Sequence, residues 1–170
     1  MSKAFTRESD DAPESPARLR PASPLPPGAK NYLTADGACR LQAELDRLTH
    51  IERPKLAVFP GDPDARRRLQ SFDQQIQHLQ HTLATAVVVA PPDAPWEQVR
   101  FGAAVTVRSR KGEETRYRIV GIDETDVDRG WVSWLSPIAK ALLNAKLGSR
   151  VRFKFPSGEE ELEIVSIRYE

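Results

Sequence analysis

The chain has 170 residues, a formal charge of +1 and 39% hydrophobic residues, enough for one moderate domain or a small domain with an appendage. With 25 basic residues against 24 acidic ones there is no global field of the kind that drives non-specific DNA binding, so any nucleic-acid contact must be local. The single cysteine, Cys39, excludes an internal disulfide, and no run approaches the ~18 apolar residues of a transmembrane helix; a reduced, soluble, cytoplasmic chain with no membrane contact is expected.

Residues 1–30 hold six prolines, both charge signs and scattered apolar residues, too little to offset the entropy of ordering them. They read as a disordered, Pro-rich tail. Tyr32-Leu33-Thr34-Ala35-Asp36-Gly37 then opens a helix near Ala35, with Thr34 as its cap and Asp36 facing the positive dipole end. Ala38, Leu41, Leu45 and Leu48 follow at spacings of three, four and three, on one face. Pro54 removes an amide donor and predicts a kink or an ending near Glu52-Arg53-Pro54-Lys55.

Pro60-Gly61-Asp62-Pro63 is punctuation that no helix crosses. Asp62 or Asp64 is placed to cap a second helix, and Phe59 to staple the tip. Ala65, Leu69, Phe72, Ile76, Leu79 and Leu83 then form a heptad stripe. Leu41 with Leu83, Leu45 with Leu79 and Leu48 with Ile76 share one numerical sum, as residues at one level of an antiparallel helical hairpin must. Residues 31–90 therefore read as a coiled-coil hairpin, with Val87-Val88-Val89-Ala90 as a connector and 91–95 as a linker.

Beyond Pro95 the period changes to two. Val105/Val107, Tyr117/Ile119, Val151/Phe153/Phe155 and Leu162/Ile164 with Val165/Ile167 read as antiparallel strands, with turns at Lys111-Gly112 and Ser157-Gly158. Ser136-Pro137 starts one short helix as cap and first residue, and Gly148 lies past its end. The class is α+β, with a globule over 96–170 packed against the base of the hairpin.

Three constellations stay open on the residues alone. Asp62 and Asp64 either help hold a Mg²⁺ or are turn and cap residues. Arg66, Arg67 and Arg68 either meet phosphate or an acidic surface, or form a solvated helix face. Trp131 and Trp134 are either a recognition patch or packing residues. His78 and His81 have a zinc-compatible spacing, but His50 does not converge on them and no cysteine completes a set, so surface histidines are expected. No Ser or phosphate-loop motif of an enzyme is present.

Asn31-Tyr32-Leu33-Thr34 with Gly37, Arg40-Leu41 and Glu44-Leu45, then Phe101-Gly102, Tyr117-Arg118-Ile119-Val120-Gly121 and Val132-Ser133-Trp134-Leu135-Ser136-Pro137-Ile138-Ala139-Lys140-Ala141-Leu142-Leu143, resemble the bacterial Gre transcription elongation factors (GreA/GreB) over residues 31–170. The resemblance implies an FKBP-like C-terminal domain that docks on RNA polymerase, with Trp134, Ser136 and Pro137 as docking candidates. It also implies a hairpin that enters the polymerase secondary channel, where tip acids help hold a catalytic Mg²⁺ of the polymerase. Such a protein is a monomeric cofactor of the polymerase's own RNA cleavage, not an enzyme, and holds no cofactor stably.

The tip departs from the family pattern of Gly-Asp, two residues, then Glu-Asn and an Asp/Glu-Tyr pair. Only Asp62 carries over as a tip acid and metal ligand; Asp64 can replace the missing Glu only with altered geometry. Arg66, Arg67 and Arg68 match a basic stretch that faces the RNA 3′ end or DNA within the polymerase complex. The hairpin is shorter by about two heptads in all, withdrawing the tip by roughly 10 Å. The leading expectation is a polymerase-binding regulator of elongation with cleavage stimulation weak or lost. Its competitors are an active cleavage factor using Asp62 and Asp64, and a hairpin adaptor for a different protein.

Overall fold

The computed structural model describes residues 25–59, 61–156 and 158–170. The tail reading for 1–24 and the turn readings at Pro60 and Ser157 fall outside the described residues. A short strand β1 (Asn31–Thr34) leads directly into α1 (Ala35–Arg47), a π turn (Leu48–Glu52) and α2 (Arg53–Ala57). Thr34 caps α1 as its sequence position predicts, accepting the Gly37 amide at 2.9 Å. The π turn answers the proline: Arg53 donates back five residues to Leu48 O, one position before Pro54, which has no amide to give. The helix is adjusted at Pro54 rather than ended there.

After the turn, α3 (Pro63–Thr85) runs for 23 residues back along the first arm. Leu48, Ile76 and Leu79 are buried in one cluster, with Leu41, Leu45 and Phe72 packed on it. A 2.7 Å ion pair from Arg53 to Asp73 crosses the arms nearer the tip. At the other end of the seam Thr82, not Leu83, is the fully buried residue. Phe59 staples nothing and is 59% exposed.

Val87, Val88 and Val89 are not a connector. They belong to β2 (Ala86–Val89), which pairs in parallel with β1 from Asn31↔Ala86 to Thr34↔Val89. Both arms therefore end in a two-stranded sheet that holds their bases side by side. Asn31 adds to it, its side-chain amide donating to Thr82 O at 3.2 Å.

The C-terminal half is a five-stranded sheet in the order β5-β4-β3-β7-β6, from β3 (Ala103–Ser109), β4 (Glu114–Val120), β5 (Trp131–Ser133), β6 (Arg150–Phe155) and β7 (Gly158–Tyr169). The expected all-antiparallel sheet is corrected by β5, which lies parallel to β4, Arg118 facing Trp131. Opposite Thr106 and Val107 of β3 the register shifts by one, leaving Val165 of β7 as the extra residue of a bulge, which explains why the buried residues of β7 step from Leu162 and Ile164 to Ile167, two and then three apart. One face carries α4 (Pro137–Leu142) and the core of Val105, Val107, Ile119, Ile138, Leu142 and Ile164. Fully burying side chains of this kind contributes roughly 1.5–3 kcal/mol each. Among the described residues no helix is long and apolar enough to cross a membrane.

Candidate functional site

The tip is built by backbone and cap together. The Asp62 amide donates to Phe59 O at 3.2 Å, and Asp62 O accepts the Arg66 amide at 3.1 Å. Asp62 Oδ1 accepts the Asp64 amide at 2.9 Å and so caps α3 behind Pro63. Asp62 thus already has a structural use, though a carboxylate with two oxygens keeps acceptor capacity beyond one amide. The Asp64 side chain is 80% exposed and lies 3.9 Å from Arg67, a contact worth little in water.

Ala65 is buried against the first arm, and the next three residues are all exposed. At ~100° per residue Arg66, Arg67 and Arg68 fan over about 200° of the helix circumference and do not share one direction. They form a collar below the tip rather than a single patch. Ile51, Val58 and Phe59 are also exposed there, at 49%, 68% and 59%.

A Mg²⁺ at the tip fits only as a shared ion. Among the described residues no group of three or more His, Cys, Asp or Glu is gathered to hold a metal. Asp62 and Asp64 supply two carboxylates, one of them engaged by the helix cap, so the remaining ligands must come from another molecule. The histidines do not converge: His50 Nδ1 faces Asp46 O at 3.1 Å, and His78 Nε2 donates to Asp123 Oδ1 at 3.0 Å.

Of the three docking candidates, Trp134 is packed. Tyr32 meets its ring edge-on at 5.3 Å, and its buried indole Nε1 has no hydrogen-bond partner among the described residues. Ser136 spends its hydroxyl on the Ala139 amide at 3.2 Å, capping α4. Pro137 alone of the three is exposed.

The residue that sequence reasoning missed is Glu124, at the end of a 3-10 turn (Ile122–Glu124) after β4. Its carboxylate is buried and accepts the Thr34 amide at 2.9 Å, the Thr34 hydroxyl at 2.5 Å and the Gly121 amide at 2.9 Å, with Arg40 Nη2 3.6 Å away. A Cβ on Gly37 would lie 1.8 Å from Glu124 Oε1, and one on Gly121 2.2 Å from Tyr32 O, so both glycines exist to let backbones close on this carboxylate. The neighbouring Asp123 takes His78 and, at 3.2 Å, the Thr82 hydroxyl. Beside them Arg40, Arg118 and Arg129 ring Trp131 at 4.3, 5.0 and 5.1 Å, with Arg118 also 3.5 Å from Asp36. Trp131 is thus a packing residue with cations on its faces. The two glycines were visible in sequence, but nothing local said that they share a partner 90 residues from Thr34.

Residues 94–169 match the family model for the GreA/GreB transcription elongation factor C-terminal region. The GreB elongation factor of Neisseria meningitidis serogroup A is 38% identical over 154 residues, covering 82% of this chain and 94% of its own. The GreA elongation factor of Alkalilimnicola ehrlichii is 41% identical over 156 residues, covering 83% of this chain and 99% of its own. That second alignment draws on about 141 residues of this chain (83% of 170), so about 15 of its positions find no counterpart here. The solved structure of the GreA factor homolog Gfh1 of Thermus thermophilus overlaps at a TM-score of 0.40, with 24% identity and coverage of 82% of this chain and 99% of that one, too loosely for comparison position by position. By the sequence identities, which extend over nearly the whole length of its relatives, the chain belongs to the GreA/GreB family of transcription elongation factors.

Proposed function

We propose that this chain is a secondary-channel regulator of RNA polymerase, with little or no power to stimulate transcript cleavage. In this reading the paired arms over 31–90 are an antiparallel coiled-coil hairpin that enters the channel. Residues 91–95 link it to an FKBP-like domain over 96–170 that docks on the polymerase through the exposed surface around Pro137. The protein works as a monomer in the cytoplasm, binds no cofactor stably and is not itself an enzyme.

The observation that carries the reading is the tip. Its one family-matching acid, Asp62, caps α3, and no second acid stands at the family's spacing. The first arm, Ala35 to Ala57, holds 23 residues, or ~35 Å at 1.5 Å per residue. The number of positions of the GreA relative without a counterpart here, about 15, is close to the two heptads by which the hairpin is read as shortened. A metal ligand must sit within tenths of an ångström of its place, so a withdrawn tip cannot serve as one. The collar of Arg66, Arg67 and Arg68 remains able to meet phosphate of the RNA 3′ end or of DNA.

The test uses purified polymerase stalled in backtracked complexes with Mg²⁺ present. Binding in competition with an intact cleavage factor, with RNA shortening no faster than the polymerase alone, is the expected result. A second reading, an active cleavage factor, is favoured by Asp62 and Asp64 standing together at the start of α3. Rapid RNA shortening that disappears in Asp62→Asn, which keeps a cap oxygen and loses the charge, would establish it. Failure to bind polymerase at all would favour the adaptor reading.

A further inference from the structure

Two consecutive carboxylates on one 3-10 turn of the sheet domain hold the two helical arms separately. Glu124 holds the first arm, through the amide and hydroxyl of Thr34 and the guanidinium of Arg40. Asp123 holds the second, through His78 and Thr82 of α3. Trp131 under Arg40, and Arg118 against Asp36, add further contacts between the sheet domain and α1. One attachment would leave the arms free to swing and two would leave an axis. Attachments to both arms, with the Arg40–Trp131 and Arg118–Asp36 contacts beside them, restrict both motions.

The contacts are of the kind that resist small rotations. Thr34 Oγ1 accepts from Gly37 while donating to Glu124, so the cap of α1 and the grip on the sheet domain are one hydrogen-bonded chain. Gly37 and Gly121 leave no room for the carboxylate to slide. Because the arm is ~35 Å long, a 10° tilt at the base carries the tip roughly 6 Å, far more than any ligand or phosphate contact tolerates.

We propose that Asp123 and Glu124 are positioning residues whose joint role is to aim the hairpin, so that the tip and the arginine collar arrive at a fixed place when the sheet domain docks. This rests on the secondary-channel reading for its consequence, but not for its geometry. Removing the two charges should leave docking intact and lose what depends on tip placement. A role in stability alone predicts the opposite pattern, with tip placement unchanged in every molecule that remains folded.

The experiment uses the full chain with Cys39→Ser and spin labels on Gly61→Cys and Lys154→Cys, both exposed, the former with open space around its Cβ. Electron–electron distance distributions are compared with and without Asp123→Asn/Glu124→Gln. A narrow distribution that broadens at least twofold, with polymerase affinity changed less than threefold and the effect on elongation cut at least fivefold, is expected. A distribution that stays narrow overturns the proposal. Because Glu124 is buried and its loss can unfold the chain, His78→Ala/Thr82→Val releases the second arm alone; it should broaden the distribution with the circular dichroism spectrum unchanged, and an unbroadened one again overturns it. If the parent protein does not bind polymerase, the functional reading fails while the distances still decide the joint.

Discussion

The base of the arms and their tip are built on opposite principles. At the base, a buried and a half-buried carboxylate are met by arm donors 41 to 90 residues away in sequence, with the Gly121 amide as a local donor. At the tip, Asp62 and Asp64 are exposed, and the hydrogen bonds of the turn connect residues two to four apart. The base is therefore cooperative, each partner holding another in place, and the tip is modular, able to change residues without disturbing the arms.

The sharpest way to break the contrast is Gly37→Ala. A methyl group 1.8 Å from Glu124 Oε1 must evict a buried carboxylate from its donors, and a loss of about 3 kcal/mol or more is expected in urea denaturation. Leu48→Ala, in the apolar seam between the two regions, should cost ~2–4 kcal/mol by the same measurement. Thr34→Val keeps the shape but removes both a helix cap and a donor to Glu124, for ~1–2 kcal/mol.

The tip should yield much less. Asp62→Ala is expected to cost ~1 kcal/mol through the lost cap and Asp62→Asn only a few tenths, read from the shift in thermal midpoint. The smallest effect lies on the exposed sheet face. There a hydrogen bond from Arg110 holds Glu161 below the ordinary carboxylate range, helped by the charges of Arg110, Arg150 and Arg152. A carboxylate whose folded pKa is depressed stabilises above its unfolded value, near ~4.3, and the stabilisation fades as pH falls through the lower folded value. Glu161→Gln should therefore slightly flatten the acid limb of a stability–pH curve and leave neutral pH almost unchanged.

The same contrast explains what could be read from sequence. Thr34, Asp62 and Ser136 were legible as caps because each partner lies two or three residues along the chain. Leu41, Leu45, Leu48, Phe72, Ile76 and Leu79 were legible because helical periodicity is local and an antiparallel pairing obeys simple arithmetic. The parallel strands β1 and β2 were not, since four residues at each end of a long excursion carry no pattern of their own. Nor was β5, three residues long and parallel where antiparallel neighbours were expected. Glu124 was silent for the same reason: its partners Thr34 and Arg40 lie far off in the chain, and only the fold brings them to it.

The π turn at Leu48–Glu52 also sets a rotational phase. Accommodating one extra residue advances everything beyond it by ~100° about the arm's axis without lengthening the seam below. Deleting Thr49 should return the arm to α-helical phase and turn Val58 and Phe59 to a different side, while Thr34 and Glu124 stay where they are. Where the tip looks is thus encoded separately from where the arm points, in a five-residue defect that can be lost or gained by a single codon.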